Sequence, residues 1–60
     1  MSRPVEYVVR VYDGDEVMEY EYRNLAQAES HLEWELESGF CARLYAYMWN
    51  GVAGRLERLR

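Results

Sequence analysis

The spacing of apolar side chains changes twice along this chain, and this pattern limits its possible folds more than any other feature. Apolar and polar positions alternate through "VEYVVRVY" and "VMEYEYR", as in strands that bury one face. The spacing lengthens to three and four residues in "NLAQAESHLEWELESG", which is typical of an amphipathic helix. Alternation returns in "FCARLYAYMW". The pattern therefore predicts two strands, a helix and a second group of strands.

Turn and cap residues separate these segments. Asp13-Gly14 and Asn50-Gly51 are hairpin signals. Asn24 is a good helix N-cap, Gln27 can complete a capping box, and Gly39 sits where a left-handed C-cap is expected. These signals predict strands at 4–12 and 16–23, a helix at 25–38, and strands at 40–49 and 52–59.

The last segment is the least clear. Leu56 and Leu59 are three residues apart and fit one helical turn, whereas the preceding turn and Gly54 favour a strand. With a strand there, the chain is α+β with the order ββαββ: a four-stranded antiparallel sheet with one helix on one face. A sheet order of 2-1-3-4 would keep all neighbours antiparallel.

The register of the first hairpin follows from charge pairing. A two-residue loop at Asp13-Gly14 would place Glu6 opposite Glu21. A four-residue loop over residues 13–16 places Arg10 opposite Glu19 and avoids that pair of like charges. Directly opposed like charges destabilise a sheet, so the second register is expected.

One helix can cover only one face of this sheet. The residues expected beneath it are Val5, Tyr7, Val9, Val11, Met18, Tyr20, Tyr22, Phe40, Ala42, Leu44, Ala46 and Met48. The other face then carries a group of exposed aromatics, Tyr12, Tyr45, Tyr47 and Trp49. Large apolar patches usually mark interfaces. Three alternatives stay open: sideways packing under arginine stems, a homodimer interface, or a surface for another partner.

Trp34 is a second unusual residue. It lies about 160° around the helix from Leu32, on the solvent side of the apolar stripe. Either another segment folds over it or it anchors an interface, where tryptophan is enriched. His31 is one turn away. The predicted protein interface is Trp34, His31, Tyr45, Tyr47, Trp49 and Tyr12.

Charge is unevenly placed. Residues 1–39 carry ten acids against three arginines, and residues 40–60 carry one acid against four arginines. The predicted acidic surface is Glu29, Glu33, Glu37, Glu19 and Glu21. Such a run is a solvated face, a set of partners for arginines, or a mimic of a phosphate backbone. The last alternative describes an inhibitor of a host nucleic-acid-binding protein, of the anti-CRISPR or anti-restriction type.

The C-terminal hairpin suggests another alternative. Its aromatics alternate with arginines, a composition that suits stacking on single-stranded bases and contact with phosphates. The candidate nucleic-acid contacts are Arg43, Arg55 and Arg58. The acidity of the remaining chain opposes this alternative.

The residues that could support chemistry are few. One cysteine, Cys41, and one histidine, His31, are too few for an internal disulfide or a conventional zinc site. We therefore expect no cofactor, no metal and no enzyme activity. A free cysteine suits the cytoplasm, and no apolar run approaches the roughly 20 residues of a membrane span.

Sixty residues give a small core, and neither a disulfide nor a metal is expected to reinforce it. We therefore expect a homodimer. The leading prediction is a small acidic protein-binding module, of the accessory or inhibitor type that phages and mobile elements encode.

Overall fold

Four strands and one helix make up the fold in a computed structural model, which describes residues 2–60. The strands form one antiparallel sheet in the order β2-β1-β3-β4, and α1 packs on one of its faces. The α+β class and the order ββαββ are thus confirmed. The elements are β1 (Arg3–Asp13), β2 (Glu16–Tyr22), α1 (Leu25–Glu37), β3 (Cys41–Trp49) and β4 (Gly54–Arg58).

The first hairpin has the register predicted from its charges. Arg10 lies opposite Glu19, and its Nη2 atom is 2.6 Å from the Glu19 carboxylate. The loop is tighter than expected, because Asp13 and Glu16 also pair. Gly14 has φ +60°, which a two-residue turn of type II′ requires at its first central position.

Both helix ends are capped by the expected residues. The Asn24 side chain accepts a hydrogen bond from the Gln27 N–H at 3.2 Å. At the other end Gly39 has φ +94°, and the N–H groups of Gly39 and Phe40 donate to the carbonyls of Leu36 and Glu35. This is a Schellman motif, so Phe40 belongs to the helix end and β3 starts at Cys41. With 13 residues, α1 is too short to cross a membrane.

The second hairpin differs from the prediction at both ends of β4. The Asn50 side chain accepts hydrogen bonds from the N–H groups of Val52 and Ala53, so the loop takes four residues and β4 starts at Gly54. After β4, the N–H groups of Leu59 and Arg60 both donate to the Leu44 carbonyl. Two residues opposite one form a bulge, which ends the regular pairing of β4. Leu56 and Leu59 are three residues apart, so the alternation of a strand places them on different faces.

The core lies between α1 and the central strands. Its buried members are Val9, Val11, Ala28, Leu32 and Leu44, with Tyr7, Met18, Tyr22 and Ala42 packed against them. All of the sheet members had been expected under the helix. Val5, Tyr20 and Phe40 had been too, but they are 40%, 38% and 38% exposed. Val5 sits at a register shift in β1, and Phe40 lies in the helix cap.

The helix is rotated relative to the predicted apolar stripe. Leu36 is 44% exposed, whereas the acidic Glu35 is only 6% exposed. The rotation turns His31 towards β2, where its ring bonds the Tyr22 hydroxyl, and buries Glu35, which bonds His31 on the same helix. Polar contacts with β2 thus replace one of the expected leucine contacts.

Candidate protein-binding surface

Trp34 is the most prominent large side chain on the helix. It lies on the flank of α1 that faces β2, and it is 62% exposed. Its position on the solvent side of the helix was predicted. No other segment in the described part of the chain covers it to any large extent.

His31, one turn before Trp34, is held by hydrogen bonds at both ring nitrogens. Nε2 lies 2.9 Å from the Glu35 carboxylate, and Nδ1 lies 2.6 Å from the Tyr22 hydroxyl. A carboxylate can only accept, so Nε2 carries a hydrogen in this arrangement. In the neutral ring Nδ1 then accepts from the Tyr22 O–H. The histidine side chain is only 14% exposed, so it is a rigid support more than a contact residue.

Tyr20, His31 and Trp34 form one aromatic row, which we call the Trp34 surface. The Tyr20 and His31 rings meet edge to face with centroids 4.6 Å apart, and the His31 and Trp34 centroids are 6.3 Å apart. Tyr20 is 38% exposed. The row therefore presents two partly exposed aromatic rings around a side chain that hydrogen bonds hold in place.

The sheet face opposite α1, here called the open face, is covered in part by its own side chains. The Arg10 guanidinium lies 4.8 Å from the centre of the Tyr45 ring, and that of Arg43 lies 5.2 Å from the centre of the Tyr12 ring. Val8, in the middle of this face, is only 9% exposed. The sideways packing under arginines that the sequence left open therefore occurs here.

Arg43 also affects Tyr45 electrostatically. Hydrogen bonding from the Arg43 guanidinium lowers the pKa of Tyr45, and the positive charges of Arg10 and Arg43 act in the same direction. The same contact raises the pKa of Arg43. Tyr45 is thus tied to its neighbours and is not a free aromatic contact.

The remaining aromatics of the open face lie towards the second turn. The Tyr47 ring lies so close over Gly54 that a Cβ atom there would collide with it. Trp49, directly opposite Gly54, is 37% exposed. Of the six predicted interface residues, the structure therefore groups Trp34 with His31, and places Tyr12, Tyr45, Tyr47 and Trp49 on the opposite side of the molecule.

The predicted acidic residues do not form one surface. Glu19 and Glu21 lie on the open face, whereas Glu29, Glu33 and Glu37 lie on α1. Several are also engaged by arginines: Glu19 by Arg10, and Glu29 and Glu33 by Arg60, at 3.8 and 3.6 Å. A regular array of free carboxylates is therefore not presented.

The three candidate nucleic-acid contacts are also divided. Arg43 is next to the buried Leu44 in β3, and Arg58 is next to Glu57, which lies opposite the buried Ala46. Because side chains alternate along a strand, Arg43 and Arg58 both point to the open face. Arg55 points to the helix side of β4, with its guanidinium 3.7 Å from Glu57.

Sequence reasoning missed three contributors to the Trp34 surface and its support: Tyr20, Tyr22 and Glu35. The spacing of His31 and Glu35 at i and i+4 is a usable signal for a pair on one helix face. The contact from β2 has no such signal, because it depends on the rotation of the helix over the sheet.

Cys41 is exposed, and residues 2–60 contain no group of three or more potential metal ligands. No protein-family model, curated protein or solved structure matches the chain. Function is therefore inferred from the surfaces of the chain itself.

Proposed function

We propose that this chain is a non-enzymatic binding module that docks on another protein through the Trp34 surface, and that it acts as a homodimer. The observation that carries the proposal is the 62% exposure of Trp34 beside a histidine fixed at both nitrogens. An exposed tryptophan on a rigid base loses little conformational entropy on binding, and tryptophan is enriched among residues that dominate binding energy.

The charge around this surface suggests the chemistry of the partner. The chain carries a net charge of −4, and Glu37 lies one helical turn beyond Trp34. An arginine or lysine of a partner could contact the indole face and a carboxylate together. We therefore propose a basic protein surface as the target, which suits an accessory or inhibitor protein of a phage or mobile element.

The two tryptophans provide a matched test. Immobilised wild type, Trp34→Ala and Trp49→Ala would be exposed to a lysate of the cells that naturally express the protein, and the captured proteins identified by mass spectrometry. We expect a specific partner to be lost with Trp34→Ala and kept with Trp49→Ala. Equal capture by wild type and Trp34→Ala, or equal loss in both variants, would contradict the proposal.

A direct measurement would follow with the purified partner. A Trp49→Phe variant leaves Trp34 as the single tryptophan. Burial of this exposed indole by the partner should shift its fluorescence to shorter wavelength. An unchanged spectrum at saturating partner would place the contact elsewhere.

Single-stranded nucleic-acid binding is the second candidate, because four arginines share the open face with its aromatics. These arginines are Arg3, Arg10, Arg43 and Arg58. Titration of labelled single-stranded DNA and RNA at about 50 mM salt tests it, since phosphate contacts are strongest at low salt. Tyr47→Ala should weaken any true stacking interaction, and absence of binding would exclude it.

Phosphate mimicry is less favoured. It would need carboxylates at regular intervals on one surface, and three of the five predicted acids already contact arginines of the same chain.

A further inference from the structure

β4 is a short edge strand whose three charged residues, Arg55, Glu57 and Arg58, are of mixed sign. All five of its residues are exposed, and apolar side chains lie along and beside it: Val52, Leu56 and Leu59 are 87%, 45% and 44% exposed. Edge strands are normally blunted by lysine, proline, strong charge or a covering segment. β4 has neither lysine nor proline.

The backbone groups of β4 that point away from β3 can be identified by counting. In an antiparallel pair, hydrogen-bonded and non-hydrogen-bonded positions alternate. Hydrogen bonds join Asn50 to Ala53 before the strand and Leu59 to Leu44 after it. Counting every second residue from Ala53 forwards, or from Leu59 backwards, gives Arg55 and Glu57 as the residues whose backbone groups bond β3. The N–H and C=O groups of Gly54, Leu56 and Arg58 therefore point outwards, available to another strand.

The side chains of β4 match a second copy of themselves. If two β4 strands pair antiparallel about a two-fold axis at Leu56, each Arg55 lies opposite Glu57 of the second copy, on the helix side. The two Leu56 side chains meet on the open face, beside Tyr47 of each copy. Opposite charges and apolar pairs at directly opposed positions both stabilise a sheet.

Neighbouring registers lack this match. Pairing about Arg55 would place two arginines opposite each other, and pairing about Glu57 would oppose two glutamates. The same operation on the other edge strand, β2, about its central residue would place Glu19 against Glu19. Like charges directly opposed are destabilising, so among these four registers the one with its axis at Leu56 is favoured.

We propose that two copies of the chain pair through β4 in this register, giving a continuous eight-stranded sheet with both helices on the same face. This inference names the interface of the proposed homodimer and rests on that part of the proposed function. The two-fold operation uses the same strand in both copies, so the assembly closes as a dimer.

Cysteine cross-linking tests the register. The variants Leu56→Cys and Arg58→Cys would be compared under mild oxidation in a Cys41→Ser background, which removes the exposed native thiol. Two residues at position 56 would have Cα atoms about 5.5 Å apart, within disulfide range. Two residues at position 58 would be about 14 Å apart along the strands. We expect a cross-linked dimer for Leu56→Cys only, and cross-linking of both or of neither would overturn the register.

Charge reversal provides an independent test by sedimentation equilibrium. Arg55→Glu should raise the dissociation constant of the dimer about tenfold or more, because two like-charge pairs form by symmetry. The double variant Arg55→Glu/Glu57→Arg should restore dimerisation. Both side chains are well exposed, at 72% and 51%, so the fold should survive, and circular dichroism would verify this. A dissociation constant that returns towards the wild-type value in the double variant supports the interface. A dissociation constant unchanged by Arg55→Glu would overturn it.

The outcomes separate the two proposals. A wild type that stays monomeric at high micromolar concentration would refute the homodimer and the β4 interface together. A dimer unaffected by Arg55→Glu and by Leu56→Lys would keep the homodimer and refute only this interface. Neither outcome affects the proposed docking through Trp34, which the partner-capture experiment tests on its own.

Discussion

Removal of His31 should reveal how strongly the polar contacts under the Trp34 surface hold the helix on the sheet. His31→Leu leaves the Glu35 carboxylate, 6% exposed, without its hydrogen-bond partner at 2.9 Å. A buried charged group that loses its partner costs about 3 kcal/mol. A 60-residue domain has a total stability of about 3–9 kcal/mol, so this is a large fraction.

The second substitution should reverse part of this loss. In the double variant His31→Leu/Glu35→Leu the carboxylate is gone, and two apolar side chains take the place of the pair. Replacement of both partners of a buried polar contact is often nearly neutral. The part-buried Tyr22 hydroxyl loses its partner Nδ1 in both variants. We therefore expect the double variant to be about 1–2 kcal/mol less stable than wild type, but more stable than the single variant.

Urea unfolding followed by far-ultraviolet circular dichroism would measure these free energies. All proteins would be compared at one concentration, since self-association would make the apparent stability concentration-dependent. Glu33→Leu is a matched control on the same helix, because its side chain is 61% exposed and the change should stay within about 0.5 kcal/mol. A double variant no more stable than His31→Leu would refute the assignment of a buried, mutually dependent pair.

Two further changes test the open face. Gly54→Ala should displace the Tyr47 ring and lower the free energy of unfolding in urea by about 1 kcal/mol. In a Tyr47→Ala background, the same change should be neutral or stabilising. An equal cost in both backgrounds would contradict the contact between Tyr47 and Gly54. Arg43→Gln should raise the pKa of Tyr45, seen as a later rise in tyrosinate absorbance that is missing in Tyr45→Phe. The pKa of Tyr45 is lower in the folded chain than its ordinary value of 10.0. Ionised Tyr45 therefore stabilises the fold above pH 10.0, and this contribution is lost as the pH falls through the folded pKa. An unchanged titration in Arg43→Gln would show that Arg43 does not set this pKa.

The elements of the fold could be predicted because local signals mark them independently. Period-2 alternation, the cap at Asn24 and the positive-φ glycines Gly14 and Gly39 each specify backbone geometry without reference to the rest of the chain. The first hairpin's register was also predictable, because the alternative opposes Glu6 and Glu21, whereas this register pairs Arg10 with Glu19. The bounds of β4 were less accurate, since the Asn50 side chain extends the loop and a bulge ends the strand.

The candidate site was harder to predict, because it depends on how the helix is rotated over the sheet. A hydrophobic stripe through Leu32 and Leu36 is compatible with several rotations that differ by less than one residue. The hydrogen bonds of His31 with Tyr22 and Glu35 select one of them. Tyr22 belongs to β2, so no spacing along the helix predicts its contact with His31. That selection buries Glu35, exposes Leu36 and leaves Trp34 at the β2 edge.

The two proposed contacts are geometrically compatible because they use opposite edges of the sheet. The Trp34 surface lies on the β2 side of α1, as the contacts of His31 with Tyr20 and Tyr22 establish, whereas the dimer contact lies along β4. In an eight-stranded sheet the two β2 strands would be about 34 Å apart, at a spacing of about 4.8 Å per strand. Strand twist accumulates along such a sheet, so the two Trp34 surfaces would point in different directions from its two ends. A dimer would then present two separate copies of the docking surface and could bridge two partner molecules. Where one partner reached both copies, the linkage would raise affinity without any new contact, which would give self-association a functional role beyond the stability of a small core.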